Sequence, residues 1–285
     1  MSELTLRILS ALVAVPVVIA TVYLGDAALA SLLGVTAALA CWELFRMADR
    51  TGARPIAWLG IPLAAAVPLA VHGYHLRLFG PPLALAVLVP LVVLGVAIWA
   101  RGVAGRPLAS AAVTVFGILY VGATLSFAYG LRYHRFAIGA LAGSALVLLP
   151  VVLTWGSDTG AYFVGRAFGK RKLIPSVSPG KTVAGAVGGL IATVVVAYLY
   201  SRFALRPAAQ LALSPWGAVI FGTLISIAAQ VGDLAESLLK READVKDSSR
   251  LIPGHGGVLD RVDSLLFTLP VGYLLADLLL LPAPR

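Results

Sequence analysis

An all-α fold of about nine transmembrane helices is predicted by two observations on this chain. Hydrophobic residues make up 60% of its 285 residues and charged residues only 12%, where an ordinary soluble domain carries about 25% charge. The apolar residues also fall in runs of membrane-crossing length, since about 20 helical residues cross a bilayer. No segment poor in apolar residues is long enough to build a separate soluble core, so 1–285 reads as one polytopic transmembrane domain. The lone Cys41 lies inside an apolar run and excludes a disulfide framework.

The runs, in order, are Leu6 to Leu24, Ala27 to Phe45, Ile56 to Val71, Pro81 to Ala100, Ala111 to Tyr129, Ala137 to Trp155, Val183 to Tyr200, Trp216 to Val231 and Val262 to Leu281. Arg7, the first run and Ala28-Leu29-Ala30 imitate a secretory signal. The run is long for that role and a second follows at once, so an uncleaved first span is expected. The third run is short and holds Pro62 and Pro68, and the fifth contains Gly117, Tyr120 and Gly122. These two are the least regular of the set.

Lysines and arginines set the orientation. The N-terminus and the loops after spans two, four, six and eight carry sixteen of the 22, among them Arg46, Arg50, Arg54, Arg101, Arg106 and Lys172. The other side carries six: Arg77, Arg132, Arg135, Arg202, Arg206 and Arg285. The positive-inside rule places the N-terminus in the cytoplasm and both long polar loops, after spans six and eight, on that same side. The net charge of +9 follows mostly from this bias, and a positive juxtamembrane surface attracts anionic lipid head groups. No basic patch is interleaved with aromatics, which argues against a nucleic-acid partner.

Charge concentrates in one stretch. Gly232 to Ser264 holds seven of the 13 acidic residues and five of the 22 basic ones. At 3.6 residues per turn, Asp233, Glu236, Ser237, Lys240 and Asp244 share one helix face. Pro253 and the glycines 254, 256 and 257 break that helix, and Asp260 and Asp263 then stand three apart at the head of the next apolar run, on one side of a helix. Three carboxylates aimed at one spot repel unless a cation lies between them, and hard oxygen ligands are what magnesium takes. A charged, solvated connector explains the residues between Lys240 and Arg250, but not carboxylates set at the very ends of membrane spans, where they are costly. His255 lies among glycines, far in sequence from His72, His75 and His134 and with no cysteine nearby. This disfavours zinc and suits a donor to phosphate or a turn-positioning role.

The loop after span six mixes glycines, hydroxyls and cations. Trp155-Gly156-Ser157-Asp158-Thr159-Gly160-Ala161-Tyr162-Phe163 is followed by Gly165-Arg166, Gly169-Lys170-Arg171-Lys172 and Ser176-Val177-Ser178-Pro179-Gly180-Lys181-Thr182. This composition suits a phosphate cradle. It is not a P-loop: Pro175 stands five residues before Gly180, where that motif needs glycine, and no strand is expected before it. Asp158, at the end of an apolar run, is expected to have a partner or a function.

Ser237-Leu238-Leu239-Lys240-Arg241, Lys246-Asp247-Ser248 and Pro253-Gly254-His255-Gly256-Gly257 through Asp260-Arg261-Val262-Asp263 strongly resemble the signature of the phosphatidate cytidylyltransferases, or CDP-diacylglycerol synthases. The resemblance extends through Asp158 to Phe163 and Ser178 to Thr182, and more loosely to Arg7, Ser10, Pro16 and Glu43. Ala184 departs from the polar or acidic residue often found after the Lys-Thr pair. The resemblance implies a bacterial inner-membrane enzyme with its active site on the cytoplasmic side, joining CTP to phosphatidic acid and releasing pyrophosphate, and assembled as a homodimer. It also implies magnesium on Asp233, Asp260 and Asp263, with a second, possibly monovalent, cation close by.

In the mechanism expected from these residues, Lys240, Arg241, Lys246 and Arg261 supplement the metal's charge. Asp158, Ser178, Lys181, Thr182, His255, Gly256 and Gly257 form the substrate-binding set, without deciding which loop holds nucleotide and which holds lipid phosphate. A related enzyme acting on another lipid phosphate remains open at this level. So does an ion-coupled transporter, although the charges cluster in loops rather than mid-span and no inverted repeat is visible.

Overall fold

In a computed structural model of the chain, which describes residues 3–80, 83–252 and 254–283, the expected runs form helical rods. They are α1 (Glu3–Leu24), α2 (Asp26–Arg50), α3 (Ala57–His75), α4 (Leu83–Ala100), α5 (Pro107–Gly117) continued by α6 (Thr124–Arg132), α7 (Gly139–Phe168), α8 (Val183–Tyr200) continued by α9 (Arg206–Ala209), α10 (Pro215–Glu242) and α11 (Leu259–Leu279). Among the described residues seven rods are long and apolar enough to cross a membrane, and two shorter apolar helices, Leu12–Leu24 and Ala86–Ala100, accompany them. The protein is a multi-pass, all-α membrane protein. Pro81, Pro253 and Arg285, used in the sequence reading, lie outside the described residues.

Three features differ from the sequence expectation. Helix α7 continues past Trp155 to Phe168 and α10 past Val231 to Glu242, because a helix satisfies its own backbone polar groups whether or not lipid surrounds it. Hydropathy marks only the greasy part. The segment after α7 folds as a hairpin of β1 (Lys172–Ile174) and β2 (Ser178–Thr182), with Lys172 opposite Thr182 and Ile174 opposite Ser178. A second two-stranded pair joins β3 (Leu211–Leu213) to β4 (Leu280–Pro282). Finally, the fifth and seventh rods each carry a π-helical turn, Ile118–Ala123 and Ser201–Leu205.

The chain divides into two compact units, residues 1–129 with 239–262, and residues 130–238 with 263–285. Lipid tails are as apolar as leucine, so helices in a bilayer associate through close packing and buried polar contacts rather than a hydrophobic drive. In the first unit Phe45 is buried and fills a slot made by glycines: a Cβ at Gly60 or Gly117 would run into its ring, and one at Gly122 would come 2.7 Å from the Ala64 carbonyl oxygen. Thr114 Oγ1 accepts a hydrogen bond from Ile56 N at 2.8 Å, tying the start of α3 to α5.

In the second unit α7 and α8 cross at glycines, Gly160 against Gly189 and Gly165 against Gly185, with Gly185 and Gly189 four apart on α8. A Cβ at Gly160 would stand 2.8 Å from the Gly188 carbonyl oxygen, and one at Gly189 the same distance from that of Ser157. Small residues at such spacing are what let membrane helices touch backbone to backbone. A polar ladder ties α7 to α10 and α11. Thr154 Oγ1 donates to Thr268 Oγ1 at 3.1 Å, Ser157 and Ser226 share a hydrogen bond of 2.9 Å, and Gln230 Nε2 donates to Ser226 Oγ at 3.0 Å.

Candidate active site

The predicted site residues sort into two neighbourhoods, one in each unit. In the second unit, the ladder ends where Asp158 follows Ser157 on α7. Gly232 on α10 lies so close to α11 that a Cβ there would come 2.8 Å from the Asp263 carbonyl oxygen, and Ser264 Oγ donates to Ala229 O at 3.2 Å. That approach sets Asp233 and Asp263, each next in sequence to a contact residue, within range of Asp158, which feels the charges of both and of Lys181. Lys181 Nζ lies 2.8 Å from Asp233 Oδ2 without hydrogen-bond alignment, so the contact is Coulombic. Ser237 Oγ donates to Asp233 Oδ1 at 3.3 Å, and Asp263 Oδ1 accepts from Ser264 N at 2.6 Å.

Three carboxylates thus share one ammonium. At 4 Å and an effective dielectric of 20, two like unit charges repel by about 4 kcal/mol, and Lys181 acts against that repulsion. This donor set, all hard oxygen, fits a magnesium ion. Among the described residues no three His, Cys, Asp or Glu side chains converge closely enough to make a preformed metal site.

The first unit holds its carboxylates differently. Glu43, on α2, is fully buried. Its carboxylate accepts hydrogen bonds from Ser248 Oγ at 2.9 Å, Ser249 Oγ at 2.5 Å, Val258 N at 2.9 Å and Leu259 N at 2.6 Å. The last two are orphan donors at the start of α11, where negative charge is favoured. Asp260 accepts from Lys240 Nζ at 2.7 Å, Ser248 N at 3.0 Å, Ser248 Oγ at 2.9 Å and Gly257 N at 2.8 Å. Its reach back to Gly257 is that of the acid in a capping box. Ser248 Oγ sits between the two carboxylates with one proton to give. Gly257 has no room for a side chain, since a Cβ would meet Ser248 Oγ and, at 2.6 Å, Glu43 Oε2. Gly256 has φ +81°, a left-handed conformation that glycine adopts without cost.

The polar stretch is therefore one knot tied to α2. Lys240 pairs with Asp260 at 2.7 Å. Asp244 stands beyond the end of α10, with φ 52°, rather than on its polar face. His255 shares a 2.8 Å hydrogen bond through Nδ1 with Ser10 Oγ of α1, which accounts for it as a positioner of the turn. Arg241, Lys246 and Arg261 are exposed.

Two readings of the loop after span six change. Gly156, Gly160 and Gly165 lie inside α7, where their N–H groups serve the helix and their missing side chains admit α8, so they form no phosphate cradle. Thr182 caps α8, its Oγ1 accepting from Gly185 N at 3.1 Å. Ser178 and Lys181 stay on β2, half-buried. Sequence reasoning placed Glu43 only loosely and missed Ser249. The one available signal was an acid inside an apolar run, near its end, which is expensive unless it is paired.

The cytidylyltransferase family model matches residues 5–279. The chain belongs to that family. Among curated cytidylyltransferases, a phosphatidate cytidylyltransferase of Haemophilus influenzae is 46% identical over 140 residues, 49% of this chain and 48% of that protein. One of Bacillus subtilis is 44% identical over 136 residues, 48% of this chain and 49% of that protein. The chain spans about half the length of these two relatives. A phosphatidate cytidylyltransferase of Pseudomonas aeruginosa is 37% identical over 283 residues, 93% of this chain and 94% of that protein.

Proposed function

We propose that this cytidylyltransferase-family protein joins CTP to phosphatidic acid, giving CDP-diacylglycerol and pyrophosphate for phospholipid synthesis. The observation that carries the reading is the group of Asp158, Asp233 and Asp263 around a single Lys181, in a chain matched by the family along nearly its whole length. In the reaction a lipid phosphate oxygen forms a bond to the α-phosphorus of CTP, the bond from that phosphorus to the β-phosphate oxygen breaks, and pyrophosphate leaves. The attacking phosphate is already an anion, so no strong general base is required.

Asp233 and Asp263 would hold magnesium, with Asp158 beside them; when bound, the ion supplies positive charge to the triphosphate and to the charge developing at the reacting phosphorus. Lys181, fixed by the hairpin and by the Thr182 cap that follows it, keeps an ammonium at the same place, and Ser178 offers a hydroxyl on the same strand. Glu43 and Ser248 orient the Gly256-Gly257 turn and the head of α11. Asp260, expected as a third ligand, is engaged by Lys240, Ser248 and Gly257, and its Asn variant tests whether it also serves the metal.

The same proposal includes an inner-membrane location, a cytoplasmic face for the site as the positive-inside count expects, residues 1–285 acting as a single catalytic domain, a second monovalent cation and a homodimer. Purified protein assayed with labelled CTP against a panel of lipid phosphates, with and without magnesium, tests the reaction. Magnesium-dependent CDP-diacylglycerol and pyrophosphate from phosphatidic acid is the expected result, and no nucleotidyl transfer to any lipid phosphate overturns it. Light scattering of the detergent-solubilised protein and replacement of the monovalent salt test the assembly and the second ion.

A further inference from the structure

We infer that a cavity of about 450 Å³ in the first unit, between the last turns of α2 and the 245–250 segment, is a binding site for a phosphate polyanion. Arg46, Arg50, Lys246 and Arg250 line it, with Asp247 as the opposing charge. Four cations against one carboxylate leave a formal charge of +3. Among the described residues none of the four makes an ion pair, and Arg46 lies over the Trp42 ring at 4.8 Å. Arg46 and Arg50 stand four apart on one helix face, where like charges destabilise the helix unless an anion lies between them.

Topology-setting arginines need no fixed geometry, and here the geometry is fixed. Ser248 and Ser249, which also line the cavity, are tied to Glu43. Val245 N donates to Lys240 O at 2.9 Å, and Lys240 is in turn paired with Asp260. Lys246 and Arg250 therefore project from a frame bound at both ends to buried carboxylates. Cations preset in this way, with guanidinium groups matched to phosphate oxygens, bind phosphate without first ordering a loop. The volume lies in the range of ligand pockets and accommodates either a triphosphate or a lipid phosphomonoester head. The choice between those two sources rests on the reaction proposed above, whereas the anion site itself does not.

The test uses full-length protein in nanodiscs of neutral lipid, comparing wild type, Arg46→Gln/Arg50→Gln, Lys246→Gln and, as a control away from the cavity, Arg77→Gln. Three probes are titrated without turnover: labelled CTP, inorganic tripolyphosphate, and phosphatidic acid added to the nanodisc. Loss of charge-assisted contacts weakens binding by about tenfold or more in the double variant, with a smaller loss in Lys246→Gln and none in Arg77→Gln. Weakened CTP with unchanged phosphatidate assigns the cavity to the nucleotide triphosphate, and the reverse assigns it to the lipid head. If wild type binds neither substrate, the reaction proposed above fails, while arginine-dependent tripolyphosphate binding still supports the site. Wild-type affinity for all three probes in the double variant overturns it. Should the double variant not fold, the exposed single changes Arg50→Gln and Arg250→Gln replace it, with a loss of about threefold expected and unchanged binding again overturning the site.

Discussion

The carboxylates of the first unit and those of the second are held in opposite ways. Glu43 and Asp260 each accept from three donors of their own and share the single Ser248 hydroxyl proton, and the loop and helix start around them are positioned as a result. Asp158, Asp233 and Asp263 face one another across a single lysine. A buried charge that is fully hydrogen-bonded acts as structure, because removing it strands its donors. A group of like charges brought close together is a place where an external cation relieves repulsion. The contrast separates carboxylates that hold a loop and a helix start from carboxylates grouped against one another.

Removing a charge from the second neighbourhood breaks function before fold. Asp263→Asn and Asp233→Asn are expected to lower CTP-dependent pyrophosphate release by more than about 100-fold, while the protein extracts from the membrane as a monodisperse, normally melting species. Near-wild-type magnesium-dependent turnover in both would collapse the distinction drawn here.

Removing a charge from the first neighbourhood does the reverse. Glu43→Ala leaves Ser249 Oγ, Val258 N and Leu259 N facing a hole and is expected to cost about 3–5 kcal/mol, read as a fall in the unfolding midpoint in detergent. Lys240→Met strands Asp260, whose side chain is 6% exposed, and is expected to cost about 3 kcal/mol. Unaltered melting in either variant would mean that the knot is not a structural tie.

Gly160→Ala sharpens the comparison without touching any charge. Its methyl group meets Gly188 O at 2.8 Å, and forcing α7 from α8 is expected to cost about 1–3 kcal/mol. Activity should fall with it, because Asp158 is on α7 and Lys181 is on β2, the strand that leads directly into α8. Full activity with lowered stability would detach the crossing from the site.

The smallest effect concerns another carboxylate, Asp277, which has its own partners: Arg135 Nε at 2.9 Å and His134 Nε2 at 3.1 Å. Burial holds the His134 imidazole below its usual value of 6.5, against the opposing pull of Asp277. The unfolded chain therefore binds the proton more readily than the folded one. The stability this confers is complete above pH 6.5 and is lost as pH falls from there through the lowered folded value. Unfolding midpoints measured from pH 8 to 5 should decline, and less steeply in His134→Gln; identical slopes would remove His134 as the cause.

Much of this was legible in the sequence. Run length and hydropathy gave the rods, and the concentration of Asp233, Lys240, Asp260 and Asp263 singled out the polar stretch whose residues the structure divides between two neighbourhoods. The glycines of 156–165 were misleading, since glycine serves a phosphate cradle and a helix crossing equally and nothing local separates the two. The extent of α7 and α10 was hidden for a related reason: a helix leaving the apolar zone keeps its hydrogen bonds but loses its hydropathy signal. Glu43 was placed only loosely because its partners Ser248 and Leu259 lie more than two hundred residues away.

The amino-acid order alone therefore determined that this chain spans a membrane and where its costly charges lie, because lipid punishes an unpaired polar group at any position and periodicity records the result. Only the tertiary structure decided which carboxylates are satisfied and which stand exposed to one another. Hydrogen bonding and Coulomb repulsion depend on distances of a few ångströms between residues remote in sequence, and those distances exist only once the helices have packed.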